Sequence, residues 1–581
     1  MNFLEALEDR IAPATLLNPT TLVYTDVDGD AVTVKVSKGD LTGAFTTAMV
    51  NTGITDAEQL LKLDLLGSDF KGATVTITAV PTGEGGDGFV NVGFINADGT
   101  DLGKVKVDGD LAKIVVGDGD NAAISSLEVQ SMGMYGDITG GMDLHSIFKG
   151  DVKTMKVKGD LARVNLEFLG DLNSLSVSGS LIGGGFNYDG SINVDGFLSK
   201  AVIGGDVVGG GGAATGFIGA VGGIGSISVG NVIGGFATTS GFIGAANKVS
   251  VGGDILGGTA TETGVVSGKS VAVKGSLFGG TGERSGIVVA LADATVSIGR
   301  DVQGGAGNNS GGIFSDASDI KSISIGGDLR GAGGDFSGAV VAGDIKSGVA
   351  VKGSIFGSTG TFSGFIKGDA IKKVSIDGSI VGQSGFLVDP SGGIYAAETL
   401  GGVTIKGSID GSYGRSLIVA AGTIGEESAT IGKVTVGGNV SNLDILAGYQ
   451  INMSGAFDGY NGDASVASVK VGGNWSASNI TAGVETNSTS LGFDPSATSI
   501  IAGSASNVHA WIGSVSIGGQ ASGMPGSMFI CGIVAQQQDG LSTIKVGKKS
   551  FTFDLPSDAV PISSTFYTVT GEFNFLAYMK A

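Results

Sequence analysis

Three aspartates stand at alternate positions around one glycine near the start of the chain, in Asp26-Val27-Asp28-Gly29-Asp30. Calcium prefers several oxygen ligands on a flexible loop, so Asp26, Asp28 and Asp30 are the candidate metal ligands and Ca²⁺ is the candidate cofactor. The glutamate that would complete an EF-hand loop is missing. The alternative interpretation is an Asp-Gly hairpin turn whose carboxylates are solvated, and the alternating strand patterns on both sides favour it.

A second set of candidates is aromatic and lies in long insertions near the C-terminus that are rich in Asn, Ser and Gly. Aromatic rings in such loops can stack on sugars or anchor a protein partner, which predicts surface glycans or other proteins as partners. The alternative is that the rings fill space within their own loops. The candidates are Tyr449, Phe457, Tyr460, Phe493 and Trp511.

Catalytic chemistry has few residues available to it. Only His145 and His509 are present, which leaves little for a histidine-based triad or a zinc site. Polysaccharide lyases and hydrolases on parallel β-helices use clustered acidic and basic residues, whereas the arginines here stand singly. We therefore expect no catalytic residue and no enzyme, with a carbohydrate-active enzyme on the same fold as the alternative.

The composition narrows the class of protein further. The chain has 581 residues, of which 108 are glycine and only 8 proline, without the strict triplet period of collagen. Its formal net charge of −21 would repel a phosphate backbone, so nucleic acid is not an expected partner. No run of 18 apolar residues is present, so no membrane-spanning segment is predicted, and no ordinary signal peptide is visible.

The elements that must position these residues come from an internal repeat. The phrase V-x-V, then a glycine corner with Asp or Ser, then a short apolar pair and Gly-Gly, recurs at intervals of 22 to 27 residues in the central chain. Such a period is typical of a coil of a parallel β-helix. The second β residue of the phrase marks 17 registers: Val107, Val129, Val157, Val177, Ile203, Val229, Val251, Val273, Ile298, Ile325, Val351, Ile376, Ile405, Val436, Val471, Ile517 and Val546.

A second repeated phrase, Ser/Thr-Gly followed by two apolar residues, follows the first at a nearly constant distance. Its glycine lies 13 residues after the V-x-V register in six cases and 12 in one. Because this lag is constant while the total period varies, insertions are expected to emerge after the second phrase, along one flank. The glycines are Gly216, Gly241, Gly264, Gly286, Gly311, Gly338 and Gly364.

The corner after V-x-V carries Asp, Ser or Asn, as in Asp254, Ser276 and Asn439. Stacked from coil to coil, these side chains predict a polar ladder. The alternation of residue types avoids an unbroken column of like charges. A structural corner therefore explains these residues better than a repeated calcium site.

The ends of the chain differ from the repeat. Residues 22–36 read as a β-hairpin across an Asp-Gly turn, and residues 55–66 as a helix or as a helical turn leading into a strand. The predicted divisions are an N-terminal tag (1–19), a small β domain or N-terminal cap (20–103), the parallel β-helix (104–549) and a C-terminal cap (550–581). An aromatic hairpin around Thr570-Gly571-Glu572 is predicted within the last of these.

One motif carries a family resemblance. Leu7-Glu8-Asp9-Arg10-Ile11-Ala12-Pro13-Ala14 resembles the LEDRIAPA-type tag at the N-terminus of large glycine-rich repeat proteins of certain bacteria. The resemblance covers most of the chain and implies an envelope-associated or secreted β-solenoid. The family supplies no activity that could be transferred to this chain.

Together these observations predict an all-β chain, a right-handed parallel β-helix of about 17 coils with an N-terminal β cap and a C-terminal β-hairpin cap. The predicted function is that of a non-catalytic structural or adhesive protein, extracellular or at the bacterial cell surface, displaying loops on one flank. A calcium-dependent adhesin is a further alternative.

Overall fold

The computed structural model describes residues 14–577, with gaps at 53, 55, 84, 121, 137–138, 140–142, 317, 384–390, 412–414, 427, 452–456, 487–497, 502–507, 509, 524–530, 536–540 and 553–572. The described chain is all-β, and its one helical element is the 3₁₀ turn Ser68–Phe70. No helix of these ranges has the length and apolar character needed to cross a membrane.

Two compact units divide the chain, residues 1–253 with 258–268 (unit 1) and residues 254–257 with 269–581 (unit 2). Each is a parallel β-helix in which strands of successive coils pair in register. Three parallel ladders run through the coils. Ladder A contains the V-x-V strands, ladder B the two-residue strands after the corner, and ladder C the strands after Ser/Thr-Gly.

In unit 1, ladder A is formed by Thr74–Val80, the first part of Leu102–Gly117, Ile124–Met132, Val152–Val157, Leu172–Val177, Leu198–Ile203, Ile224–Val229 and the end of Phe242–Val251. Ladder B is formed by Leu161–Ala162, Leu181–Ile182, Val207–Val208 and Val232–Ile233. Ladder C is formed by Glu58–Asp64, Val90–Asp98, the end of Leu102–Gly117, His145–Phe148, Asn165–Phe168, Ser191–Val194, Phe217–Ala220 and the start of Phe242–Val251.

In unit 2, ladder A is formed by the end of Val265–Val273, the end of Ile287–Ile298, Ile320–Ile325, Ile345–Val351, Val374–Ile376, Leu400–Ile405, Ile431–Val436, Val466–Val471, Ile512–Ile517 and Leu541–Val546. Ladder B is formed by Ile255–Leu256, Leu277–Phe278, Val302–Gln303, Leu329–Arg330, Ile355–Phe356, Ile380–Val381, Ile409–Asp410, Val440–Ser441, Trp475–Ser476 and Ala521–Ser522. Ladder C is formed by the start of Ile287–Ile298, Ile313–Phe314, Val340–Val341, Phe365–Gly368, Gly393–Ala396, Ser416–Ala420, Leu443–Ala447, Asn479–Ala482, Cys531–Ala535 and Phe573–Ala577.

The predicted registers are confirmed by the pairing of ladder A. Val129 pairs with both Val107 and Val157 in unit 1, and Val351 pairs with both Ile325 and Ile376 in unit 2. These residues are buried because alternate side chains of each strand face the interior of the coil, where they stack on like residues. Ladder A begins one strand before the first predicted register, since Ile77 pairs in parallel with Val107.

The polar corners form the predicted ladder, and each rung is a side chain accepting a backbone N–H from the next coil. In unit 1 the acceptors run from Asp160 to Asp206, and in unit 2 from Asp254 to Asn474, at distances of 2.6–3.3 Å. Because only one acceptor oxygen is required, Asp, Ser and Asn serve equally. Two carboxylates are adjacent at Asp301 and Asp328, where the Arg330 guanidinium lies 2.5 Å from the Asp328 carboxylate.

A second ordered column consists of the hydroxyl groups of the Ser/Thr-Gly phrase, which are at most 1% exposed. Each hydroxyl oxygen accepts the backbone N–H of a residue that lies shortly after the ladder B strand of the same coil. Ser310, for example, accepts the N–H of Gly305 at 2.9 Å. The following glycines have φ of 57–65°, a conformation that side chains rarely adopt. In unit 1 these residues are Thr215, Ser240 and Thr263, and in unit 2 they are Ser285, Ser310, Ser337, Ser363 and Ser391.

The N-terminal strands cover the first coil of unit 1 in antiparallel order. Thr15–Asn18 pairs with Thr21–Thr25, which forms the predicted hairpin with Ala31–Val36. Ala31–Val36 then pairs antiparallel with Thr74–Val80, the first strand of ladder A. We call these first three strands the N-terminal cap.

The helix considered for residues 55–66 is wrong, because this segment contains the strand Glu58–Asp64. It pairs antiparallel with Phe45–Met49 and parallel with Val90–Asp98. Strand pairing on both sides satisfies its backbone groups, and Leu60 and Leu63 are buried.

Two insertions leave unit 2 directly after ladder C strands, where the constant lag between the two phrases predicts extra residues. The hairpin of Tyr449–Ile451 with Phe457–Gly459 follows Leu443–Ala447. The hairpin of Val484–Thr486 with Thr498–Ile500 follows Asn479–Ala482.

At the C-terminal end of unit 2, Leu541–Val546 and Lys549–Thr552 form the antiparallel hairpin that caps ladder A. Phe573–Ala577 adds a parallel strand to ladder C, pairing with Cys531–Ala535. The predicted turn at Thr570-Gly571-Glu572 lies outside the described residues.

Candidate metal centre

The turn of the N-terminal cap hairpin brings the three predicted aspartates together. Asp26, Asp28 and Asp30 each place one carboxylate oxygen so that these oxygens all lie within 4.8 Å of one another. Asp26 shapes the turn, because its Oδ1 atom accepts the backbone N–H groups of Asp28, Gly29 and Asp30 at 3.4, 3.2 and 2.8 Å. The hairpin and the carboxylate cluster, which the sequence offered as alternatives, are thus present in one element.

The connection between Thr74–Val80 and Val90–Asp98, which we call the crossing loop, contacts this turn directly. The N–H of Gly88 donates to Asp30 Oδ2 at 2.8 Å, and the hydroxyl of Thr82 donates to the carbonyl oxygen of Gly29 at 2.7 Å. A β-carbon on Gly86 would lie 2.0 Å from Asp30 Oδ1. Glycine at this position therefore lets the crossing loop pass close to the carboxylate.

Burial distinguishes this cluster from an exposed acidic turn. Asp26 is 3% exposed and Asp30 is 0% exposed, so the prediction of solvated carboxylates is wrong for these two residues. Asp28 Oδ1 and Asp30 Oδ1 are inaccessible and receive no hydrogen bond from any described residue. A buried oxygen without a donor is costly, so these two atoms are the unusual feature of the cluster.

The electrostatics follow from burial among like charges. Burial raises the pKa of Asp26 to about 8, with further contributions from the hydrogen-bonded Asp28 carboxyl group and from the charge of Asp30. Burial also raises the pKa of Asp30, although the Gly88 N–H acts in the opposite direction. The pKa of the Tyr24 phenol is raised by burial first and then by the charges of Asp26 and Glu58. The cluster is therefore short of positive charge.

The aromatic candidates lie in different environments. Tyr449 is 4% exposed and its hydroxyl donates to the carbonyl oxygen of Val484 at 2.8 Å. Phe457 is half-buried and packs edge-on against Phe362, with ring centroids 6.2 Å apart, and against Tyr395 at 5.8 Å. The contacts of Tyr449 and Phe457 lie on other coils and on the second insertion of unit 2, not within their own loop.

Tyr460 directly follows the hairpin that contains Tyr449 and Phe457, and its backbone N–H donates to the carbonyl oxygen of Gly448 at 2.7 Å. Tyr460 is 40% exposed, which leaves its ring accessible. Trp511 is half-buried, and its backbone N–H donates to the Ser465 hydroxyl. Phe493 lies outside the described residues.

One charged pair that the sequence did not reveal lies inside unit 2. The guanidinium of Arg415 makes two hydrogen bonds to the Asp444 carboxylate, and both side chains are buried. Asn479, on the next coil, donates to Asp444 Oδ1 at 2.7 Å. The partners are 29 and 35 residues apart in sequence, so only the stacking of coils brings them together. The polar atoms of this network form hydrogen bonds between coils, so its role is to stabilise the stack of coils.

Comparison of the chain with protein-family models, with curated proteins and with solved structures finds no match.

Proposed function

We propose that this chain is a non-catalytic structural or adhesive protein of the bacterial cell surface or extracellular matrix, in which stacked coils present loops on one flank. The proposal rests on one observation, which is that the repeated polar residues form hydrogen bonds within the scaffold. Their side-chain oxygens accept coil-to-coil or corner hydrogen bonds, so the repeat builds a scaffold and leaves few polar atoms for chemistry.

The position of the two insertions in the coil supports the proposal that the chain displays loops. Both described hairpins follow ladder C strands, while ladders A and B continue from coil to coil without interruption at these points. Additional residues can therefore be accommodated without altering the pairing of the scaffold. Tyr460, which follows the first hairpin, is the most exposed of the described aromatic candidates and is the one proposed to contact a glycan or an envelope protein.

The location is tested by fractionating the producing cells and treating intact cells with a non-permeant protease. We expect the chain in the envelope or culture medium, and the envelope-bound fraction to be cleaved on intact cells while a cytosolic marker survives. Recovery of the chain only in the cytosol, protected until the cells are lysed, would overturn the proposal.

A further inference from the structure

We propose that Asp26, Asp28 and Asp30 bind one Ca²⁺ ion, and that this ion fastens the N-terminal cap of unit 1 to the crossing loop. The role is structural and does not depend on where the protein resides or on what its loops contact.

The spacing of the three carboxylates suits one ion. Ligand oxygens lie about 2.4 Å from calcium, so two ligands of the same ion are at most about 4.8 Å apart. The three candidate oxygens lie within 4.8 Å of one another. They belong to a five-residue turn whose shape is already fixed by the three backbone N–H groups that bond to Asp26 Oδ1. Binding would therefore require little rearrangement of the backbone.

A second observation, independent of the spacing, points to a ligand. Asp30 is 0% exposed, and its two carboxylate oxygens have different surroundings. The Oδ2 atom accepts the Gly88 N–H, which fixes the orientation of the side chain, while Oδ1 receives no hydrogen bond from the described residues. Asp28 Oδ1 is also buried and receives no hydrogen bond from the described residues. A fully buried carboxylate oxygen needs a donor or a cation, and a shared cation would satisfy both atoms at once.

The chemistry of the donors selects the kind of metal. The cluster offers carboxylate oxygens and contains no histidine nitrogen or cysteine sulphur, which zinc and later transition metals prefer. The three candidate oxygens all come from carboxylate groups, so the cluster concentrates negative charge. Calcium tolerates a variable number of oxygen ligands on a turn, whereas magnesium demands a near-ideal octahedron at shorter distances.

The position of the cluster defines what the ion would do. Asp28 and Asp30 belong to the cap hairpin, while Gly88 and Thr82, which bond to this turn, belong to the crossing loop. Without a cation, repulsion among the buried carboxylates loosens the turn and its contacts. With the ion bound, the turn and the loop are locked together, and the antiparallel strands stay on the first strand of ladder A.

The test uses the full chain, stripped with EDTA and desalted. Calorimetric titration with CaCl₂ is expected to show saturable binding of one ion per chain, and magnesium to bind at least tenfold more weakly. Hydrogen exchange in Thr21–Thr25 and Ala31–Val36 should slow on addition of Ca²⁺. The variants are Asp28→Asn and Asp30→Asn. The matched control is Asp40→Asn, which removes the same charge from an exposed turn residue that, like Asp26, accepts a backbone N–H.

The expected result is that Asp28→Asn weakens binding at least tenfold, that Asp30→Asn abolishes it, and that Asp40→Asn leaves it unchanged within twofold. The order of melting temperatures should also reverse. Without Ca²⁺, Asp28→Asn should melt at or above the unsubstituted chain because one repelling charge is gone. In 5 mM CaCl₂, Asp28→Asn should melt at a lower temperature than the unsubstituted chain.

Absence of saturable binding at 5 mM CaCl₂, or unaltered binding in Asp28→Asn, would overturn the proposal. Asp28 is only half-buried, so this variant decides the matter even where Asp30→Asn does not fold.

Discussion

At the scale of single residues, the buried hydroxyl column is the most demanding position of the coil. Ser310→Ala removes the acceptor of the Gly305 N–H and leaves that partly buried group without this partner, so we expect a loss of about 1 kcal/mol in the free energy of unfolding. Ser310→Thr is the matched control, since threonine already occupies the column at Thr215 and Thr263. Denaturant unfolding measures the loss, and hydrogen exchange should localise it to Gly305. Equal stability of the alanine and threonine variants would contradict the prediction.

The sequence predicted residues of this kind only in part. The alternation of Asp, Ser and Asn at the corners was sufficient to predict a polar ladder. The Ser/Thr-Gly phrase marked a repeated position, but the burial of its hydroxyl was not predicted. A short polar side chain before glycine is also typical of an exposed turn. Likewise, the aspartates of the cap were visible as a cluster. The burial of Asp30 was not, since it depends on the close approach of Gly86, more than fifty residues later.

At the scale of elements, the hairpin of Tyr449–Ile451 with Phe457–Gly459 is attached to unit 2 by aromatic packing. Phe457 contacts Phe362 and Tyr395, which lie on earlier coils. We expect Phe457→Ser to release this hairpin and speed hydrogen exchange at Tyr449–Ile451, while exchange in ladder A at Val466–Val471 stays unchanged. Tyr460→Ser is the control, because its side chain is more exposed than that of Phe457. Exchange at Tyr449–Ile451 that does not change in Phe457→Ser would contradict this role.

The elements themselves were predictable where the repeat is regular. All 17 registers lie on ladder A strands, because alternating Val and Ile bounded by glycine corners admits few other structures. The strand Thr74–Val80 escaped notice as the first member of the ladder because Pro81 follows it in place of a glycine corner. The strand Glu58–Asp64 escaped because its leucines also fit a helical spacing, and its pairing partners are distant in sequence.

At the scale of the molecule, composition and stacking act together. Each coil of a unit contacts mainly the coils next to it, so stability accumulates from repeated neighbour contacts rather than from one central core. The sequence predicted this arrangement because a period survives substitution at single positions. The hairpin of the N-terminal cap was predicted from its Asp-Gly turn, but its antiparallel pairing with Thr74–Val80 was not, since the cap strands follow no period.

The net charge of −21 leads to a prediction about the whole chain. Acidic residues outnumber basic ones by 55 to 34, so repulsion among exposed carboxylates opposes folding at neutral pH. Raising NaCl from 20 to 500 mM at pH 7.5 should increase the melting temperature by a few degrees, because salt screens that repulsion. Calorimetry in the presence of EDTA measures the change without any effect of calcium. The same salt step near pH 4.4, where the net charge vanishes, should have a much smaller effect.

A melting temperature that falls with salt at pH 7.5 would contradict the prediction. It would show that exposed ion pairs, such as Lys346 with Asp293 and Asp319, outweigh the excess of negative charge.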